Sequence, residues 1–298
     1  VTPPAPVLRR PDPPPWRNAA RWADVSRAAR RAHPAGDLAL WAAGATLFGL
    51  IGVVPIVMIA LKLSALLVGA PAVAAGMAAV AAGLPGGHGT PEALRVLTET
   101  SLDLDAVRTL VLLFPASLYG EGLRRALLQL TAERPDRWTG WQGRLALIVT
   151  LVAAPPLMLL LLAAAPVVGP LYSAGGWSLV LGIVIAFHAV FVVVTVALAL
   201  LYRVVAPGRL PVPVVIAAAL ATGAVVAGFL QGFVLFLAIP VEWSLPFGGL
   251  PVVGAVTALG FWLYLLHILV LVGYALARGA AEVLAQRRGG GSGDITTP

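Results

Sequence analysis

The chain has 298 residues, 59% of them hydrophobic and only 11% charged, with a mean hydropathy of +0.93. A typical soluble domain carries about a quarter charged residues, so this composition excludes one and makes a bilayer the solvent. The net charge of +7 comes from dispersed arginines, which suit anionic lipid headgroups and argue against nucleic acid, and the absence of cysteine excludes disulfides, Cys-ligated metals and thiol nucleophiles.

Residues 1–15 are rich in proline and poor in apolar side chains, which predicts a disordered cytoplasmic tail. Over 16–36, Trp22, Val25, Ala29 and Ala32 share one helical face while Arg17, Arg21, Arg27 and Arg31 gather on another. That pattern reads as a basic amphipathic helix lying at the membrane interface, with an ordinary basic juxtamembrane segment as the alternative. His33-Pro34 and Gly36 end it. The first apolar run is too long for the core of a cleavable signal peptide and is expected to remain as a membrane span.

Residues 37–278 then hold six apolar segments, roughly Leu38 to Leu61, Val107 to Leu128, Leu145 to Ala165, Trp177 to Tyr202, Val214 to Ala238 and Pro251 to Leu276. Each can cover a hydrocarbon core of about 30 Å as a helix rising about 1.5 Å per residue. The expected fold is therefore all-α: a polytopic membrane helix bundle of six transmembrane helices. Seventeen of the twenty Lys and Arg residues fall before, after or in alternate connections of these segments; only Lys62, Arg95 and Arg108 fall in the others. By the positive-inside rule both the N and C termini are cytoplasmic. The second segment is the most charged, with only Thr109 to Gly120 free of charge, yet the charge parity of every other connection requires it to cross.

Between the first two segments, an Ala-rich stretch from Pro71 to Gly83 predicts a short helix at the outer interface, followed by an acidic stretch with Glu92, Glu99, Asp103 and Asp105. Pro166 to Gly176 reads as an uncharged loop, and Ile239 to Leu250, with Glu242, Trp243 and Phe247, as a loop dipping into the outer interface. Residues 279–298 are expected to form a disordered cytoplasmic tail. Prolines at Pro55, Pro115 and the pair Pro155-Pro156 bend the first three segments, either to open a lumen or to serve packing. Ala224, Gly228 and Gly232, four apart in the fifth segment, offer a helix-packing face.

Nothing in the chain resembles a phosphate-cradling loop, a metal-spaced histidine pair or a Gly-x-Ser-x-Gly nucleophile turn. His33, His88, His188 and His267 are scattered. No enzyme activity, metal or cofactor is expected. The candidates for chemistry are the polar groups at membrane depth: Glu121, Arg124, Arg125, His188, Gln231 and His267. Glu121 pairs at i,i+3 and i,i+4 spacing with the two arginines, either as a plain ion pair or as a proton or headgroup site. His188 and His267 are either hydrogen-bonded neutral imidazoles or proton relays.

Several stretches carry a resemblance. Ala42 to Phe48 running on to Val54-Pro55, Ala116-Ser117-Leu118-Tyr119-Gly120-Glu121-Gly122-Leu123-Arg124-Arg125, Leu201-Tyr202-Arg203-Val204-Val205-Ala206-Pro207, and Phe247-Gly248 with Trp262-Leu263-Tyr264 and Leu271-Val272-Gly273 are similar to the BrkB/YihY family of bacterial six-helix inner-membrane proteins, once labelled ribonuclease BN. The resemblance spans about residues 30 to 280. Two positions depart from it: Phe247 stands where members often have Tyr, and Tyr274 precedes Ala275 where an acidic residue commonly follows a Gly-Ala. The resemblance implies a multi-pass protein of the bacterial plasma membrane, linked to virulence and to lipid or lipid-precursor transport. The expected function is a transporter or flippase-like exporter of a lipid or other amphipathic molecule, facilitated or proton-coupled, with a non-transporting scaffold for envelope proteins as the alternative. Membrane lipids, and a second copy in a homo-oligomer, are the expected partners.

Overall fold

The computed structural model describes residues 23–27, 37–84, 89–131, 133–237 and 244–290. Most of the head expected as tail and interfacial helix, and His33, His88, Glu242 and Trp243, lie outside the described residues. Those described form helices α1 (Leu38–Val68), α2 (Ala70–Ala82), α3 (Thr90–Leu102), α4 (Ala106–Leu128), α5 (Thr139–Thr150), α6 (Ala154–Ala174), α7 (Gly176–Leu200), α8 (Val212–Leu237) and α9 (Pro251–Gly290). There is no strand among them.

Local chemistry sets several of these ends. Asp37 and Asp105 cap α1 and α4, their carboxylates accepting from the N–H groups of Leu40 and Arg108, which satisfies donors that have no partner in the first turn. Pro155 and Pro156 occupy the first turn of α6 after a short 3-10 turn over Leu151–Ala153, a place where a missing N–H is tolerated. Pro55 and Pro115 lie within α1 and α4.

Among the described residues, five stretches are long and apolar enough to cross a membrane: Leu38–Val68, Thr139–Ala174, Gly176–Val205, Val212–Val234 and Pro251–Gln286. The second segment of the sequence reading, α4, is not among them, because Arg108, Glu121, Arg124 and Arg125 dilute its apolar character. Its 23 residues nevertheless reach about 34 Å, and it runs antiparallel along α1. Lys62 Nζ, late in α1, donates to the Leu102 carbonyl just ahead of α4 at 2.8 Å, while Ala126 and Leu127 at the far end of α4 share a core with Ala42 and Ala45 near the start of α1.

That core, which also takes in Tyr202, Leu210, Val215, Leu271 and Tyr274, gathers one end of α1, α4, α7, α8 and α9. Arg124, Arg203 and Arg278 surround it, and we call it the basic end. At the opposite end Val73 and Met77 of α2 pack on Leu61 and Leu162, so the Ala-rich helix is held against α1 and α6 by an apolar face.

Two expectations are corrected. The stretch Pro166 to Gly176 is not a loop: α6 continues to Ala174 through Pro166 and Pro170. The chain turns instead at Gly175 and Gly176, both with positive φ (68° and 53°), a conformation that other residues resist. Residues 279–290 are helical rather than tail, since Ala280, Ala281 and Leu284 continue the apolar face of α9 onto the core.

Candidate functional site

The candidate residues separate into three places. In the first, α4 and α5 lie so close that a Cβ on Gly120 would strike the Gly143 carbonyl oxygen, and one on Gly143 would come within 2.5 Å of the Gly120 oxygen. This approach puts Glu121, whose side chain is 13% exposed, between two guanidinium groups. Its Oε1 accepts from Arg125 Nε and Nη2 at 2.9 and 2.8 Å, and its Oε2 from Arg144 Nε and Nη2 at 2.7 and 2.6 Å. A Cβ at Gly140 would lie 2.7 Å from Glu121 Oε1, so glycine there admits the carboxylate. Arg144 also faces the Phe114 and Trp141 rings at 5.5 and 5.0 Å.

Arg124 points elsewhere, donating to the Val205 carbonyl at 2.8 Å and to Gln142 Oε1 at 2.6 Å; its buried Nε finds no partner. Asp136, in the connection before α5, accepts from the Trp138 N–H and the Thr139 hydroxyl, each at 2.9 Å. The Thr139 hydroxyl in particular holds its carboxyl below the ordinary range.

The second place is a buried polar chain between α1, α4 and α9. His267 is 1% exposed. Its Nδ1 is 3.1 Å from Thr46 Oγ1 and its Nε2 is 2.9 Å from the Tyr119 hydroxyl. The Thr46 hydroxyl donates to the Ala42 carbonyl at 2.8 Å, so the consistent assignment has Nδ1–H donating to Thr46 and Nε2 accepting from Tyr119. Gly49 makes room for it, a Cβ there lying 3.1 Å from His267 Cε1.

At the third place, α7 ends in a π-type turn over Leu201–Val205. Pro207 holds Ala206 in an extended conformation (ψ 142°), as the residue before a proline prefers. Tyr202 and Tyr274 are fully buried, with ring centroids 5.5 Å apart. The Tyr202 hydroxyl donates to the Val270 carbonyl at 2.9 Å, and that of Tyr274 to the Pro207 carbonyl at 2.5 Å. Glycine at 273 is required because a Cβ would lie 2.7 Å from the Tyr202 hydroxyl oxygen. Beside this junction an apolar groove of about 800 Å³ runs between α8 and α9, with Thr222 and Gly273 among its lining residues, Val212, Ile216 and Ala221 along α8, and Val25 of the described head segment.

The structure brings Glu121 and Arg125 together with Arg144, and leaves the other candidates apart. His188 lies on the exposed side of α7, with Nδ1 2.7 Å from its own helix's Val184 carbonyl; it does not meet Glu121. Gln231 is half-buried on α8. Ala224 and Gly228 are exposed, and a Cβ on Gly228 or Gly232 would meet nothing within 4 Å. Close contact on α8 falls to Gly223, which abuts Thr195 of α7. Where α1 meets α4 the two helices touch closely: a Cβ on Gly52 would lie 3.1 Å from the Pro115 carbonyl oxygen. No group of three metal-binding side chains occurs among the described residues.

Sequence reasoning missed Arg144, Tyr119, Thr46 and Tyr274 as partners. Arg144 was placed in a connection because the third segment was started at Leu145, whereas α5 begins at Thr139.

Long apolar helices, polar clusters satisfied between helices and a groove on an exposed helix face define a polytopic α-helical membrane protein. The model of the Virulence factor BrkB family matches residues 31–293. The chain belongs to that family, as the resemblance had implied. No curated protein and no solved structure matches it.

Proposed function

We propose that this protein is a transporter or flippase-like exporter of a lipid or other amphipathic molecule in the bacterial cytoplasmic membrane, with six crossings and both termini cytoplasmic. The sixth crossing is α4, supported by its antiparallel run along the length of α1 and by the collection of arginines at one end of the bundle. The reading rests on the groove between α8 and α9. Its walls are almost wholly apolar, its volume of about 800 Å³ suits a small amphipathic ligand, and Val212, Ile216 and Leu220 along it are exposed. A polar headgroup could travel at the interface while its chain stays in the groove. The closed seam at Gly52 favours the second reading, a scaffold, since it leaves no central path there.

The test is protein reconstituted into vesicles holding a fluorescent phosphatidylethanolamine or phosphatidylglycerol, with outer-leaflet label destroyed by dithionite. Protein-dependent exposure of inner-leaflet label is expected. Ala221→Trp fills the groove and is expected to slow that exposure at least about tenfold, equivalent to about 1.4 kcal/mol on the barrier. Val152→Trp, exposed at the 3-10 turn between α5 and α6 and not among the groove's lining residues, is expected to leave it unchanged. No exposure above empty vesicles for either lipid, or equal rates in the two variants, overturns the transport reading and leaves the scaffold.

A further inference from the structure

The α4–α5 face carries more cation than its own carboxylate balances. Glu121 binds two guanidinium groups at once, and Arg125 and Arg144 each spend Nε and Nη2 on it. Their Nη1 groups have no hydrogen-bond partner among the described residues, and the trio keeps one surplus positive charge. Asp136 does not remove it, being committed to Trp138 and Thr139 at the start of α5.

This surplus sits at a defined depth. Trp138 and Trp141 are both exposed on the outside of the bundle, as tryptophans of a headgroup-level belt are. Arg137 lies 5.5 Å from the Trp138 ring, and Arg144 lies near both Trp141 and the exposed Phe114. Guanidinium groups and aromatic faces therefore alternate along one strip. Arg144 is set in place before any ligand arrives, held by two bonds to Glu121 and flanked by rings, while Arg125 is 54% exposed.

We propose that this strip is a binding site for an anionic phospholipid, whose headgroup phosphate is taken by the remaining guanidinium edges of Arg125 and Arg144 and whose glycerol and upper chains lie against Trp141 and Phe114. Guanidinium matches phosphate geometry and gives charge-assisted hydrogen bonds. Basic recesses between membrane helices commonly hold anionic headgroups. The strip lies on α4 and α5, away from the α8–α9 groove, so the site stands whether or not the protein moves lipid.

The full chain, purified in a neutral detergent, is titrated with dioleoyl phosphatidylglycerol, dioleoyl phosphatidylcholine or inorganic phosphate. Retained lipids are counted by native mass spectrometry and thermal stability is followed in parallel. Phosphatidylglycerol is expected to be retained and to stabilise the wild type more than phosphatidylcholine. Arg144→Gln and Arg125→Gln are each expected to weaken phosphatidylglycerol retention about fivefold; Arg125→Gln leaves the Arg144–Glu121 pair intact and guards against a folding failure in the first variant. Glu121→Gln keeps an amide oxygen that can still hold Arg144 in place while removing the competing negative charge, and is expected to tighten retention several-fold, an effect that a purely structural ion pair does not produce. Arg95→Gln, outside the strip, keeps wild-type retention. Equal retention of both lipids, or loss of retention in Glu121→Gln together with the arginine variants, overturns the site. Equal stabilisation by inorganic phosphate alone assigns it to a free anion instead of a lipid.

Discussion

Gly143→Ala is expected to destabilise the protein by about 1–3 kcal/mol or more, although alanine is intrinsically the better helix former by about 1 kcal/mol. The reason lies in what the new methyl would meet. On Gly143 it would reach the Gly120 carbonyl oxygen at 2.5 Å and the Glu121 Cα at 2.9 Å, and on Gly120 it would strike the Gly143 carbonyl oxygen. These are backbone atoms, which cannot rotate aside as a side-chain end can, so α4 and α5 must separate. Separation also pulls Arg144 from Glu121, since that pair joins the two helices. Gly228→Ala provides the comparison, because its methyl would find open space and should be neutral or slightly stabilising. Midpoints of thermal unfolding in detergent, followed by loss of the monodisperse size-exclusion peak, check both. Equal midpoints for the two variants would show that the α4–α5 contact is not tight.

The comparison of these glycines also explains what could be read from the sequence. The Ala224, Gly228 and Gly232 spacing marks one side of a helix, but spacing alone does not say whether another helix lies there. On α8 the neighbour sits against Gly223, about one step round the helix. Gly120 and Gly143 belong to segments far apart in sequence, so their contact depends on a helix pairing that no local period contains. The apolar runs were legible because hydrocarbon imposes length and composition together. Their ends were less so. The α6 end was misplaced because Pro166 and Pro170 resemble loop signals in water, whereas within a membrane helix neighbouring groups can satisfy the freed carbonyls. The end of α9 was set too early because residues 279–298 were read as tail, while the apolar spacing continued through Ala281 and Leu284.

The candidate site was legible in the same partial way. Glu121 with Arg125 follows from helical spacing, and the structure keeps that pair. Arg144 enters from another helix and doubles the guanidinium count around one carboxylate, which changes a satisfied ion pair into a cation-rich strip. The Tyr202 and Pro207 of the family-like stretch prove to be joined through Tyr274. Tyr274 stands next to the position where the resemblance led us to expect a carboxylate. Here the junction at the end of α7 is closed by a buried hydroxyl donating to the Pro207 carbonyl.

His267→Phe is expected to cost about 1–3 kcal/mol, and lipid movement in the double variant with Tyr119→Phe separates a structural imidazole from a proton relay. Removing the imidazole leaves Thr46 satisfied, because its hydroxyl already donates to Ala42. The Tyr119 hydroxyl loses the only acceptor it has among the described residues, and an unpaired buried donor carries that penalty. Tyr119→Phe in the same chain removes the orphan, so the double variant should be more stable than His267→Phe alone. Hydrogen bonds between membrane helices measure about 0.6 kcal/mol on average and reach about 1.7, which bounds the coupling to be recovered in a double-mutant cycle. If the pair is structural, the double variant regains its stability and any lipid movement in vesicles together. A relay gives a different outcome: stability returns, while movement driven by an imposed pH gradient stays lost, because neither phenyl ring can carry a proton. Additive losses in the cycle would instead show that the 2.9 Å contact between His267 and Tyr119 contributes nothing.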